Sequence, residues 1–370
     1  MFKRIYFFFI TYLIAMTLSQ SFLVLWYVKN GVGFEHLVGS FVAGSVVALA
    51  ILFFFTGEMR AKKAIFIGTL ASMLSVISVI WFYHVWQLYL SSLIAGFNIV
   101  LFWSTYNTMH FKFRLSDQKG FSSGMLFLLS PILSIFLLPF AGFLAERFGF
   151  RNLFIVGALS YLIPLFVSIR YLPDFQLNFN IRQELAKTGF DYGTFFQGVG
   201  MRINYSLIPV YTLFFINTPF CFGSFFAYLS VMTVVASLIN SHISDRIKNR
   251  RVFLYVFSIL SAISFTMLAF AQNTETWQLY AAISNLCFYL AVPFWLVATL
   301  DHYESNGVGE KKMMLREFFL NLGYIFALGC VVVIYKFTSN PSLGLGFVSI
   351  LTLFLPLSVY LQRTYRKNNK

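Results

Sequence analysis

Two stretches lying half a sequence apart spell nearly the same thing, and each is long enough to cross a bilayer. Trp86-Gln87-Leu88-Tyr89 recurs as Trp277-Gln278-Leu279-Tyr280, 191 residues later, while Phe102-Trp103 and His110 recur as Phe294-Trp295 and His302, 192 residues later. Shared composition could place tryptophan and tyrosine at two membrane interfaces, but three landmarks kept in register point to a duplicated unit. Each copy is a predominantly apolar run, and about 20 such residues at ~1.5 Å rise span a ~30 Å hydrocarbon core. The repeat therefore predicts two membrane-embedded halves of one design, a layout shared by many secondary transporters.

The rest of the chain agrees. Of its 370 residues 59% are hydrophobic and 11% charged, whereas a soluble domain carries about 25% charged residues. A net charge of +14 raises the question of nucleic acid, but the basic residues sit in short loops between apolar runs, not on one solvated face, so no nucleic-acid partner is expected. Cys221, Cys287 and Cys330 lie far apart in apolar segments without pairing or metal spacing. No Gly-x-x-x-x-Gly-Lys-Ser/Thr loop occurs, and no cofactor is expected.

Met1 to Trp26 is read as an uncleaved first span, although its basic start and small residues resemble a secretory signal. Spans follow near 36–56, 64–83, 86–110, 121–143 and 152–172, then 192–216, 221–241, 252–271, 277–300, 314–335 and 343–362. The expected fold is an all-α polytopic membrane protein of twelve transmembrane helices in two pseudo-symmetric six-helix halves, 1–172 and 192–370, joined by the more polar linker 173–191. With the N-terminus inside, 22 of the 27 Lys and Arg residues fall in inner segments, the bias expected of cytoplasmic loops. A multi-pass protein of the cytoplasmic (inner) membrane, monomeric and with both termini cytoplasmic, is the expectation.

Twelve spans in two halves with basic turns resemble the major facilitator superfamily, whose signature is a Gly-x-x-x-Asp-Arg-x-Gly-Arg-Arg turn after the second helix of each half. Ser241 to Arg250 keeps Asp245, Arg246 and the closing Arg250 but has neither glycine; Gly57 to Lys63 keeps the basic character. Gly142-Phe143-Leu144-Ala145-Glu146-Arg147-Phe148-Gly149-Phe150-Arg151 fits better, between the fifth and sixth helices. The resemblance implies gating roles for Glu146, Arg147, Asp245, Arg246 and Arg250, as acids and arginines at helix ends that pair and hold one conformation. The chain also departs from the family: Ser92 precedes Gly96 where proton-coupled members often carry arginine, and Leu138-Pro139-Phe140-Ala141-Gly142 replaces the Gly-Pro-x-x-Gly-Gly of many antiporters.

Polar groups inside apolar spans are the candidate site. Arg202 falls ten residues into the seventh span, about 15 Å deep at ~1.5 Å per residue, and the resemblance implies that this helix, with the first, fourth and tenth, lines a central cavity. A guanidinium there suits an anionic group; an internal pair with Asp191 or Glu317, or snorkelling, is the bland alternative. Gln197 and Asn204 lie near it, and Gln20, Asn98, Asn107 and Asn285 fall on the other cavity helices, able to meet a solute or a neighbouring helix. Trp103 and Trp295 could stack on a solute or fill the inner end. Asn321 shares a face with Glu317, for which a helix-end salt link competes with a coupling role. Asp301 and His302 sit at an inner helix end, a pH-sensitive gate or a solvated terminus. No acid is expected at the bilayer centre, which disfavours proton coupling and leaves facilitated diffusion, exchange, or coupling through Glu35, Asp301 or Glu317.

The function expected is a secondary transporter of a small solute, anionic or amphipathic, working by alternating access. Alternatives are a lipid or amphiphile translocator on the same scaffold, suggested by 48 phenylalanines, and a non-transporting membrane receptor. An enzyme using Asp301 and His302 as acid and base lacks a companion nucleophile or metal cluster.

Overall fold

In hydrocarbon no water pairs with open peptide groups, so an apolar chain satisfies its backbone by winding into helices. The computed structural model describes residues 2–113, 119–246, 250–305 and 310–361, with the backbone alone at several positions, among them 119–127, 241–246 and 296–305. The fold is that of an all-α polytopic membrane protein. Among the described residues twelve helical rods follow one another: α1 (Lys3–Lys29), α2 (Phe34–Phe54), α3 (Ala61–Ile80), α4 (Val85–His110), α5 (Lys119–Phe148), α6 (Phe150–Tyr171), α7 (192–212), α8 (Pro219–Arg246), α9 (Arg250–Leu268), α10 (Thr274–Ser305), α11 (Glu310–Thr338) and α12 (Pro341–Leu357). Eight of them, all but α7, α9, α10 and α12, are long and apolar enough to cross a membrane, and α9 and α12 hold shorter apolar helices. Large apolar side chains such as Phe136, Leu159 and Phe166 show more than half of their surface, as expected where lipid rather than water is the surroundings.

Helix ends carry their own signals. Gln87 accepts from the amides of Tyr83 and His84 at the start of α4, and the Asn340 side chain accepts from the Ser342 amide where Pro341 opens α12. Within lipid, helices associate by close fit, and small residues let backbones meet. α5 runs along α8, and α2 along α11. At the α5–α8 crossing a Cβ on Gly142 would fall 2.6 Å from the Pro219 carbonyl oxygen, and one on Gly223 would run into that of Leu138. Both glycines are therefore conditions of this crossing.

Two features depart from a plain helical reading. α4 passes through a π-helical turn at Ile99–Ser104 and α7 through another at Ile203–Leu207, a local widening that often marks a functional position. The stretch 173–191, expected as a simple linker, contains a strand, β2 (Gln176–Asn178), paired antiparallel with β1 (Glu58–Arg60), and a short helix Arg182–Thr188. Ties on either side hold it: the Lys62 amide donates to Asp174 Oδ1 at 3.3 Å, and Arg182 Nε donates to the Phe53 carbonyl at 3.2 Å. The first-half basic turn thus serves as a strand edge that binds the linker.

Candidate functional site

α7 begins at Asp191, whose carboxylate accepts from the Thr194 amide at 3.0 Å and the Thr194 hydroxyl at 2.7 Å. From that cap the rod runs to Thr212, so Arg202 lies midway along it, at the mouth of the π-helical turn. α11 packs on the same rod. Gly198 faces the Leu320 carbonyl and Gly323 faces that of Phe195, so closely that a Cβ on either would collide with the facing oxygen. This contact sets Tyr324, the neighbour of Gly323, beneath the Arg202 guanidinium, 4.2 Å from ring centroid to Cζ. Such a cation over a ring face gains roughly 0.5–2 kcal/mol depending on desolvation.

The guanidinium is further fixed by two hydroxyls. Nη1 donates to Ser206 Oγ at 2.8 Å, one turn on in α7, and Nη2 donates to Ser45 Oγ at 3.1 Å, across on α2. Nε is buried and meets no acceptor among the described residues. One edge of the fork is therefore anchored to two different helices while another N–H remains to be satisfied.

A second charged group lies on α11. Arg316 Nη1 is 3.0 Å from Glu317 Oε1, and each residue is only 6% exposed. The Asn321 amide donates to the Glu317 backbone carbonyl at 2.8 Å, while Asn321 Oδ1 and Arg316 Nε are buried without partners. Tyr324 lies within electrostatic reach of Arg202, Arg316 and Glu317 at once. Among the described residues, two cations and one anion thus gather around Tyr324.

Glu317 is buried near the start of the span Lys311–Thr338 and pairs with Arg316 at 3.0 Å, a salt link towards the helix end and not an acid at the bilayer centre. Nor does Arg202 pair with Asp191 or Glu317, since Asp191 caps α7 and Glu317 is held by Arg316. Gln197 and Asn204 are buried on α7 beside Arg202. The remaining candidates scatter. Asn98 donates to the Gly68 carbonyl and the Tyr12 hydroxyl, each at 3.0 Å. Asn285 donates to the Leu229 carbonyl and Thr233 Oγ1, and Trp295 Nε1 to Ser258 Oγ at 3.1 Å. These three bond across to neighbouring helices, the interhelical alternative to meeting a solute; an amide in lipid is satisfied as well by a carbonyl as by a solute. Trp103 packs edge-on against Phe9, Tyr12 and Phe102, filling space in the first half. Gln20 is half-buried at the end of the first stretch of α1.

Among the gating candidates, Glu146 Oε2 accepts from the Phe220 amide at 3.1 Å, tying the end of α5 to the start of α8. Arg147 beside it is exposed. Asp245, Arg246, Arg250, Asp301 and His302 stand on α8, α9 and α10, and their side chains lie outside the described ones. Sequence reasoning missed Ser45, Ser206, Tyr205 and Tyr324. Gly198 and Gly323 carried a signal for the α7–α11 contact, and with it for Tyr324; Ser45 carried none.

A many-helix bundle with an apolar exterior and charges gathered at its centre defines the class: a multi-pass membrane protein. Within that class the chain belongs to the major facilitator superfamily, whose model matches residues 5–309, and it is a membrane transporter of that superfamily. A search of curated proteins returns no match.

Proposed function

We propose that this protein is a secondary transporter of a small anionic solute, with Arg202 as the anchor for the anion. The observation that carries the reading is the charge balance among the described residues: Arg202 and Arg316 stand against Glu317, and a buried guanidinium N–H on Arg202 has no acceptor among them. A charge in the bilayer interior costs about 2.5–3.5 kcal/mol on insertion scales, and an unmet buried donor about 1–3 kcal/mol. A carboxylate or similar anion offsets both at once, because its oxygens match the planar fork. Ser45 and Ser206 hold the guanidinium in place beforehand, which lowers the ordering cost of capture.

Residues 1–172 and 192–370 act as two six-helix bodies joined by 173–191, rocking about this centre to expose it to either side in turn. Two contacts support the division: α5 with α8, and α2 with α11. If α7 to α12 repeat α1 to α6, these are one contact seen twice, exchanged by the pseudo-symmetry. Sliding along that paired seam is the motion the reading requires. The reading puts the protein in the cytoplasmic membrane with both termini in the cytoplasm, and the excess of Lys and Arg in alternate loops supports that orientation. The transporter acts as a monomer.

The test is thermal stabilisation of purified protein by a panel of anions, cations and neutral solutes, followed by flux in proteoliposomes. Anions raise the melting temperature of the wild type by mass action and leave Arg202→Ala unmoved. Equal stabilisation of both proteins removes Arg202 from the site; stabilisation by lipid-like amphiphiles alone favours a lipid translocator. Cysteine labelling that puts positions 60 and 250 on opposite faces would overturn the topology.

A further inference from the structure

Tyr205 shows 50% of its surface, while Ile203, Asn204, Ser206, Leu207 and Ile208, which cover the other faces of the same turn, are all buried. A turn packed on its other faces by protein leaves the open ring facing a gap between helices. Tyr205 lies on α7 three residues past Arg202, within the π-helical turn Ile203–Leu207. Its hydroxyl is 3.0 Å from that of Tyr289 on α10, and Phe288 packs edge-on against its ring, centroids 6.4 Å apart at 84°. Tyr324 is within electrostatic reach of both Tyr205 and Arg202. A tethered, oriented aromatic face thus stands open beside a guanidinium with an unmet N–H.

Apolar filling would not need such a face. A ring that only plugged space would be covered, as Phe288 beneath it is, with no accessible surface. An inorganic anion would need only Arg202. Open aromatic surface beside a cationic fork suits a solute with a charged end and a flat body, since aromatic rings prefer ring partners in offset or edge-on geometry beyond their area alone.

From this juxtaposition we infer that the transported anion is an aromatic carboxylate, its carboxylate held by Arg202 and its ring laid on Tyr205, which makes Tyr205 the specificity-determining residue. The inference rests on the anion-anchor reading of Arg202. Rings and π-faces contribute little in ordinary aliphatic acids, so selectivity for the flat body is the signature.

The experiment measures binding to the full-length protein in detergent with four probes: benzoate, cyclohexanecarboxylate, acetate and benzyl alcohol. Benzoate is expected to bind about threefold to tenfold more tightly than cyclohexanecarboxylate, the range that aromatic pairing supplies, and more tightly still than acetate; benzyl alcohol does not bind. Tyr205→Leu should erase the preference of benzoate over cyclohexanecarboxylate while leaving acetate unchanged, and Tyr205→Phe should keep it, which separates the ring's role from a folding defect. Equal binding of benzoate and cyclohexanecarboxylate, or a preference that survives Tyr205→Leu, overturns the aromatic inference and leaves the anion anchor standing. Benzyl alcohol binding as well as benzoate, or benzoate binding undiminished in Arg202→Ala, overturns the anchor itself. A protein that binds none of the four loses both readings.

Discussion

The protein buries two polar clusters, one in each half of the sequence, and they are built on opposite principles. In the first half the Tyr12 hydroxyl bonds to Ser72 and to Asn98, and Asn98 donates to the Gly68 carbonyl, with Ser19 and Tyr161 3.5 Å apart nearby. That network is neutral, and its amide is met on both its donor and acceptor sides. In the second half Arg202, Arg316 and Glu317 gather around Tyr324 with Arg202 Nε, Arg316 Nε and Asn321 Oδ1 buried and unmet. A satisfied network in lipid glues helices and asks for nothing more; an unsatisfied, charged one is kept at a cost and calls for an explanation beyond packing. The difference teaches that two halves that share a sequence motif need not share their buried polar chemistry equally.

The largest effect expected is on the Arg316–Glu317 pair. Glu317→Ala leaves a guanidinium buried and unpaired, and breaking such a pair costs roughly 3–5 kcal/mol. The double variant Arg316→Met with Glu317→Leu should recover most of that loss, because an apolar pair of similar volume is often as stable as a buried ion pair. Denaturation of the three proteins in the same detergent measures it. A double variant as unstable as the single one would mean that the pair is structural glue like the first-half network, and the contrast would fall.

Arg202→Met comes next and moves stability and binding in opposite directions. Loss of charge-assisted hydrogen bonds of about 1.5–3 kcal/mol weakens anion binding roughly tenfold to a hundredfold. The melting temperature without solute should hold or rise, since an uncompensated charge has gone. A fall in melting temperature with no change in binding would reassign Arg202 to packing.

The same contrast explains what could be read from the sequence. A guanidinium in the middle of an apolar run is rare enough to declare itself, so Arg202 was legible, as were the helices and the basic turns between them. Asn98 and Asn285 were not, because an asparagine in lipid looks the same whether it meets a solute or, as here, the carbonyls of Gly68 and Leu229. Tyr324 and Ser45 reach Arg202 only through the way α11 and α2 cross α7, and a crossing is a property of two distant segments together. The three-residue strands Glu58–Arg60 and Gln176–Asn178 are too short to leave a periodicity. Even the duplicated motif misleads if taken as equal structure: Trp86 is 60% exposed, while Trp277 is fully buried with its Nε1 donating to Thr212. Like positions in the two copies have taken up different neighbours.

The smallest predicted effect, and the one that most sharpens the comparison, falls on the neutral network. Asn98→Ala removes two donated bonds and one accepted bond, taking the Asn98 donor from the Gly68 carbonyl and leaving the Tyr12 hydroxyl with Ser72 alone of its two partners. Polar contacts between helices in lipid are worth about 0.6 kcal/mol on average and up to ~1.7, so a loss of about 1 kcal/mol is expected, with Tyr12→Phe costing less because Asn98 keeps Gly68. Anion binding should be unchanged in both, since neither residue contacts Arg202 or its partners. Calorimetric melts with and without a bound anion read both quantities from one sample. If Asn98→Ala abolished binding while leaving the melting temperature alone, the first-half network would belong to the solute path and the two clusters would be a single site divided between the halves.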